Sequence, residues 1–248
     1  MTYMPCPLEI EQATLTAVPA PRLMFDGPFV VRAFLGGTGR ANAACGLDPA
    51  RDPELPARIA RIQAFYARLG LPCRFRSTPL DPEGLTAHLA AEGWRTHEES
   101  LVIGGRLADF ARPDAETLAL DRPIETWTAV MASAEHQVPA RQAEKARMPE
   151  LLGAPAAWML LYHEGRPAAC CFAVATGRLV GLFDLAVRPE FRRRGLGQRV
   201  MAAGGAWGAA QGAAFAYAQV SCRNHASIAL NAGLGLIERY RYSYYLPG

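Results

Sequence analysis

The chain has 248 residues, half of them hydrophobic and a fifth charged, with 26 Lys and Arg against 23 Asp and Glu. At roughly 100–200 residues per domain this allows one large domain or two small ones, and the balance excludes disorder over most of the length. A net charge of +3 is too small to point to a nucleic-acid partner.

The opening MTYMPCPLEIEQ has neither the basic segment nor the apolar core of a secretory leader. The longest apolar runs, such as residues 158–162, fall far short of the roughly 20 residues of a membrane span. A cytoplasmic protein with no membrane partner is the expectation. Six cysteines (Cys6, Cys45, Cys73, Cys170, Cys171 and Cys222) form no CxxC pair and have no histidines clustered beside them. No zinc site, other metal or disulfide framework is therefore expected, but reduced and mostly buried thiols.

The first clear signal is residues 56–69, where Ile59, Ile62, Phe65, Tyr66 and Leu69 recur at helical spacing and Gly70 ends the run. Residues 73–77 read as a short strand. Residues 81–92 read as a second helix, with Asp81 as N-cap, Pro82 in its first turn and Gly93 as its stop. Residues 95–103 read as a strand. Gly, Pro and charged residues then collect over residues 104–123. A junction there predicts one domain over residues 1–108 and another over 109–248.

In the second half, residues 156–163, 168–175 and 179–187 are apolar runs separated by the turns Glu164-Gly165-Arg166-Pro167 and Thr176-Gly177-Arg178. They read as an antiparallel meander. A basic loop over residues 188–197 leads into a helix over residues 196–211. This helix carries Ala202, Ala203, Gly204, Gly205, Ala206 and Gly208. Each interior glycine costs about 0.5–1 kcal/mol against alanine, so a close helix–sheet approach is expected, with Gly204 or Gly205 facing the sheet. Residues 215–220 read as a buried strand. Residues 224–232 read as a short helix capped by Asn224 and stopped by Gly233 or Gly235. Residues 236–246 form a last strand on which Tyr240, Tyr242 and Tyr244 share a face. Helix, strand, helix, glycine, strand thus occurs twice, which is an internal structural repeat.

The chemistry concentrates in Arg192-x-x-Gly195-x-Gly197, between an apolar strand and a helix. Backbone N–H groups at a helix start have no intrahelical partner, and the helix dipole makes that end positive. Glycines let phosphates approach the backbone, and Arg192, Arg193 and Arg194 add charge. No Lys-Ser/Thr follows, which excludes a Walker A loop. The glycine count and surrounding topology exclude a dinucleotide-binding Rossmann turn.

This arrangement resembles the GCN5-related N-acetyltransferase (GNAT) superfamily over roughly residues 158–245. It is closest at FDLAVRPEFRRRGLGQRV, similar to the family's R/Q-x-x-G-x-G/A acetyl-CoA motif. The later N-x-x-A-x-x-L-Y pattern is matched in part by Asn224-His-Ala-Ser-Ile-Ala-Leu230-Asn231. The first half resembles the degenerate repeat of tandem GNAT proteins. The resemblance implies a mixed α/β fold of two GNAT-like domains and an acetyl-CoA cosubstrate without a metal. It further implies a pyrophosphate on the amides of residues 193–198 (Arg193, Arg194, Gly195, Leu196, Gly197 and Gln198). It places pantetheine beside Leu185, Ala186 and Val187 in a slot between splayed strands, with Asn224, Ser227 and Asn231 along the arm. Residues 46–56 of the first half carry Asp48, Asp52, Glu54 and prolines instead of this motif. One cofactor site is expected, in the second half.

Two positions depart from the family. Asn231 stands where many relatives place an acid tyrosine, and Gln219 where some place a base glutamate; neither titrates near pH 7. Asp184 is the nearest candidate base, or alternatively the partner of a neighbouring arginine. Tyr240, Tyr242 or Tyr244 could supply the acid, with Tyr240 the leading candidate, or simply pack. His136 is a candidate substrate contact, and Cys222 a bystander thiol. Two functions follow: acetyl transfer to a primary amine of a small molecule or peptide, by a monomer or homodimer, or acyl-CoA binding without turnover. The arginine cluster is accounted for by phosphates, and no aromatic interleaving marks a nucleic-acid binder.

Overall fold

The computed structural model describes residues 3–133 and 138–248. The first half runs α1 (Pro7–Ala17), β1 (Arg22–Asp26), β2 (Phe29–Ala33), β3 (Ala44–Gly46), α2 (Leu55–Arg68), β4 (Phe75–Ser77), α3 (Leu85–Ala91) and β5 (Arg95–Arg106). A single turn α4 (Leu107–Phe110), β6 (Thr117–Leu120), α5 (Glu125–Ala132) and α6 (Pro139–Leu151) lead to the meander β7 (Ala156–His163), β8 (Arg166–Thr176) and β9 (Leu179–Val187). The chain ends with α7 (Leu196–Ala210), β10 (Phe215–Ser221), α8 (His225–Gly233) and β11 (Ile237–Leu246).

Among the described residues eleven strands form one mixed sheet, in the order β1-β2-β3-β4-β11-β5-β10-β9-β8-β7-β6. The repeat expected from the sequence is visible in it as a pseudo-twofold relation centred between β11 and β5. Outward from that centre each side reads antiparallel, parallel, antiparallel, antiparallel: β11·β4, β4·β3, β3·β2 and β2·β1 on one side, β5·β10, β10·β9, β9·β8 and β8·β7 on the other. The halves exchange their last strands. β5 lies against β10, β11 lies against β4, and the two pair with each other along their lengths. The sheet therefore runs unbroken across the expected 108/109 junction.

The helices divide over the two faces. α7 covers one face with a core of Met159, Cys171, Val180, Leu182, Val200 and Met201. On the other face Ile10, Ala13 and Ala17 of α1 join Phe172, Phe183, Tyr217, Tyr240, Tyr242 and Tyr244. The shared face expected for the three tyrosines is thus observed, despite bulges on β11. α2 and α3 close a separate core over β2–β4, with Phe29, Ile62, Tyr66 and Phe75 at its centre.

The small residues of α7 do what their cost requires. A Cβ on Gly204 would meet Leu182 Cδ2 at 3.0 Å and Cys171 Sγ at 3.3 Å, so Gly204 faces the sheet. Gly205 faces α4, and Gly208 lies closer to the sheet than Gly204, with Val180 Cβ at 2.7 Å. Gly208→Leu is expected to cost about 1–3 kcal/mol through overpacking, read as a lower melting temperature. The double replacement Gly204→Leu with Gly205→Leu should also destabilise; an unchanged melting temperature in both would contradict this packing.

Several elements differ from the sequence reading. α3 starts at Leu85 behind Gly84, and Asp81 is not its cap; its carboxylate accepts from Ser77 Oγ at 2.5 Å and Thr78 N–H at 3.2 Å. β1–β3 are strands of three to five residues, which carry too few alternations to read from sequence, and α1 buries the polar Glu11 and Thr14 beside Ile10 and Ala13, which interrupts its apolar stripe. All six cysteines are free thiols; four are buried, Cys222 is half-buried and Cys6 is exposed.

Candidate active site

Six consecutive backbone N–H groups, from residue 193 to 198, donate to no acceptor among the described residues. The chain reaches this state through two left-handed residues, Arg193 at φ 64° and Gly195 at φ 75°. Gly195 is the N-cap of α7 and offers no side chain to satisfy the first turn. The positive end of α7 and its unpaired donors form a ready anion cradle. Arg192, Arg193 and Arg194 are exposed around it, without a carboxylate partner among the described residues. Arg192 Nε reaches only Val187 O, at 3.3 Å. Arg199 is different: it pairs with Asp114 and Glu116 at 2.8 Å each and fastens α7 to the chain before β6.

Beside the cradle, β9 and β10 pair over only three residues, Leu179–Gly181 against Phe215–Tyr217. A bulge then turns β9 away. Cys170 faces Ala186 and Phe172 faces Phe183, so Asp184 and Leu185 are both inserted opposite Cys171. Asp184 has φ 52°, the backbone strain that this bend requires. One edge of β9 from Leu182 to Val187 is thereby left without a neighbouring strand, an edge that an extended ligand arm can pair with. The slot expected between the two strands is present, with Leu185, Ala186 and Val187 on it. Gly197 faces this slot: a Cβ there would lie 2.5 Å from Leu230 Cδ1, 3.5 Å from Val187 Cγ2 and 3.9 Å from Leu185 Cδ2.

The first half has the same β3–α2–β4 unit but no slot. β3 stops at Gly46, and Leu80 O sits 2.7 Å from where its Cβ would be, so the segment after β4 closes the gap. At the start of α2 the Asp52 carboxylate accepts the Glu54 N–H at 3.0 Å and pairs with Arg58 at 2.6 Å. An internal carboxylate occupies the place a phosphate would need.

Across the sheet from α7, a small cavity of about 30 Å³ adjoins the β9 bulge, between α6, the chain around Phe34–Ala41 and Phe183. Asp184 lines it, 2.8 Å from Lys145 Nζ and 3.6 Å from Arg141. Burial pushes the Asp184 carboxyl up, but Lys145 and Arg141 outweigh it and hold the group below its ordinary value. Burial pushes the Lys145 ammonium down, an effect that Asp184 opposes. Asp184 is thus a paired anion. Tyr240 does not line the cavity. Its hydroxyl donates to Glu11 Oε1 at 2.6 Å, and burial together with Glu11 pushes its pKa well up.

Gln219 Nε2 donates to Thr14 Oγ1 at 2.9 Å, and Gln219 Oε1 accepts from Arg40 at 3.4 Å. Asn224 caps α8 by accepting the Ser227 N–H at 3.0 Å. Asn231 Nδ2 donates to Ser227 O at 2.8 Å, while its Oδ1 is buried without a partner among the described residues. Cys222 Sγ lies 3.3 Å from Glu99. Burial, then Glu99, push its thiol up, as expected of a bystander. His136 lies outside the described residues. Arg40, Arg141, Glu144 and Lys145 had no place in the sequence reading. Lys145 stands out as the only lysine, but residues so far apart in the chain carry no spacing signal.

Among the described residues no His, Cys, Asp or Glu groups gather as metal ligands, and no helix is long and apolar enough to cross a membrane. The family model described as probable histone acetyltransferase Rv0428c C-terminal matches residues 8–245. No curated protein matches the sequence. Among solved structures, a GCN5-related N-acetyltransferase from Kribbella flavida is similar over 99% of this chain and 97% of its own, at 19% identity and a TM-score of 0.73. A functionally unknown conserved protein from Staphylococcus epidermidis is similar over 93% and 94%, at 10% identity and a TM-score of 0.68. A tandem GNAT protein from the clavulanic acid biosynthesis pathway is similar over 97% and 87%, at 16% identity and a TM-score of 0.63. Identities this low speak for the shared fold alone. The match over nearly the whole chain, on a sheet with this anion cradle and strand splay, places the protein in the Rv0428c C-terminal family, within the GNAT superfamily.

Proposed function

We propose that the protein is an acetyl-CoA-dependent N-acetyltransferase, with one cosubstrate site on residues 109–248 and residues 1–108 as a wall of the acceptor side. It would act in the cytoplasm on a primary amine of a small molecule or peptide. The observation that carries this reading is the run of unpartnered N–H groups over residues 193–198, set beside the unpaired edge of β9. Those donors, with Arg192, Arg193 and Arg194, would receive the pyrophosphate. Leu185, Ala186 and Val187 would pair with the pantetheine arm, flanked by Asn224, Ser227 and Asn231. In the transfer the amine nitrogen attacks the thioester carbonyl, a C–N bond forms, and the C–S bond breaks. A proton passes from nitrogen to the departing sulfur. A backbone N–H of the bulged segment would stabilise the carbonyl oxygen as it gains charge.

Asp184 is proposed as the fixed anion of the acetyl end, holding Lys145 in place, and Tyr240 as part of the buried Glu11 network. Both carboxylates lining the cavity, Glu144 and Asp184, are engaged by the protein itself. That observation keeps a second reading in play: acyl-CoA binding without turnover. Thiol release from acetyl-CoA in the presence of amines separates the two. Acceptor-dependent release supports the transferase; tight binding with no release over a broad amine panel supports the sensor.

A further inference from the structure

The cavity beside the bulge carries one more cation than carboxylate, and its two guanidiniums are the least well paired of its charges. It is lined by the cations Arg40, Arg141 and Lys145 and the carboxylates Glu144 and Asp184. Glu144 is satisfied by four donors: the N–H groups of Leu35, Gly37 and Thr38 at 3.0, 2.9 and 2.6 Å, and Asn42 Nδ2 at 2.8 Å. Asp184 is taken by Lys145 at 2.8 Å. The remainder is cationic. Among the described residues Arg40 has no carboxylate within ion-pair distance; it rests on Gln219 Oε1 at 3.4 Å and over the Phe183 ring. Arg141 meets only the Asp184 oxygen that Lys145 already holds, at 3.6 Å, and its Nε is buried with no acceptor among the described residues.

We propose that the acceptor is an amine that also carries a carboxylate, which Arg40 and Arg141 receive in this cavity. The substrate class is amino-acid-like and not polycationic. This rests on the acetyl-transfer reading above. Guanidiniums are the side chains best matched to a carboxylate, through paired N–H donors in a fixed plane. A buried donor without an acceptor is costly and is relieved by an anion. The cavity's 30 Å³ has room for about two waters, the size of a carboxylate's two oxygens. The site adjoins the bulge of β9, so a carboxylate held there keeps the amine of a small substrate near the acetyl end of the slot. A polyamine or a lysine-rich segment would instead set like charges against Arg40 and Arg141.

The test measures thiol release from acetyl-CoA with the standard L-amino acids, each against its carboxamide, and with spermidine and a lysine-rich peptide. At least one amino acid is expected to react about tenfold more efficiently than its amide, a difference typical of one lost charged contact. Arg40→Gln and Arg141→Gln should each raise KM for that amino acid and bring the acid-to-amide ratio toward one, while Arg→Lys at either position restores part of the loss. Preference for amides, spermidine or the peptide overturns the proposal and leaves the transferase reading standing. If nothing reacts, the amino acids are titrated calorimetrically into the protein, with CoA bound or without it. Binding that the glutamine variants lose upholds the carboxylate site; no binding overturns it. A failure of acetyl-CoA itself to bind would count against the transferase reading alone.

Discussion

Replacing Gly195 and Gly197 together by valine is expected to weaken acetyl-CoA binding by about a hundredfold or more while the chain stays folded. Gly195 sits at φ 75°, where a β-branched residue is strained by about 1–3 kcal/mol. Relief of that strain turns the cradle's N–H groups out of line. At residue 197 the new side chain enters the slot itself, between Leu230 on α8 and Val187 and Leu185 on β9. Leu230 is half-buried and can swing aside, so the cost to folding is small, but the arm loses its path. Losing two charge-assisted hydrogen bonds, at about 1.5–3 kcal/mol each, gives the hundredfold or larger effect. Calorimetric titration measures it, and circular dichroism checks the fold. Undiminished binding would remove the cradle from the account.

Glu11→Gln is expected to be the most damaging single change to stability, at about 3–5 kcal/mol, because it strands a buried cation. Glu11 on α1 is fully buried and bonds both terminal nitrogens of Arg76 on β4, one of them at 3.1 Å, and Tyr240 on β11 at 2.6 Å. The Arg76 guanidinium lies 3.8 Å from the Tyr242 ring centre. This network joins the first helix, the first half's last short strand and the strand received from the second half. Its loss should lower the melting temperature by about 6–20 °C, given about 2–4 °C per kcal/mol at this size. The double replacement Glu11→Leu with Arg76→Met removes both charges and should recover most of the loss. A double variant no better than Glu11→Gln would show that the network acts through more than charge.

Much of the site was legible because its chemistry is local. Arg192, Gly195 and Gly197 lie within six residues, and the surrounding strand and helix follow from unbroken apolar runs. The repeat was legible for the same reason, since each half states helix, strand, helix and glycine in order. The strand exchange was not. β5 is apolar only over residues 101–103 and β11 is tyrosine-rich whichever strand it adjoins, and nothing in their alternation names a partner some 140 residues away. The β9 bulge is not legible because a single Asp184 within an otherwise apolar strand, with no glycine at the bend, does not mark one. Glu144 and the chain from Leu35 to Asn42 meet across more than 100 residues, so the acceptor-side cavity exists only in three dimensions.

The central claim is a single acetyl-CoA site, open in the second half and closed in the first. The stoichiometry of acetyl-CoA binding to the intact chain, by calorimetric titration, tests it most directly. The account expects one molecule bound per chain. Two would mean that Leu80 and Asp52 do not close the first half, and none would mean that the unpartnered N–H groups of residues 193–198 serve some other anion.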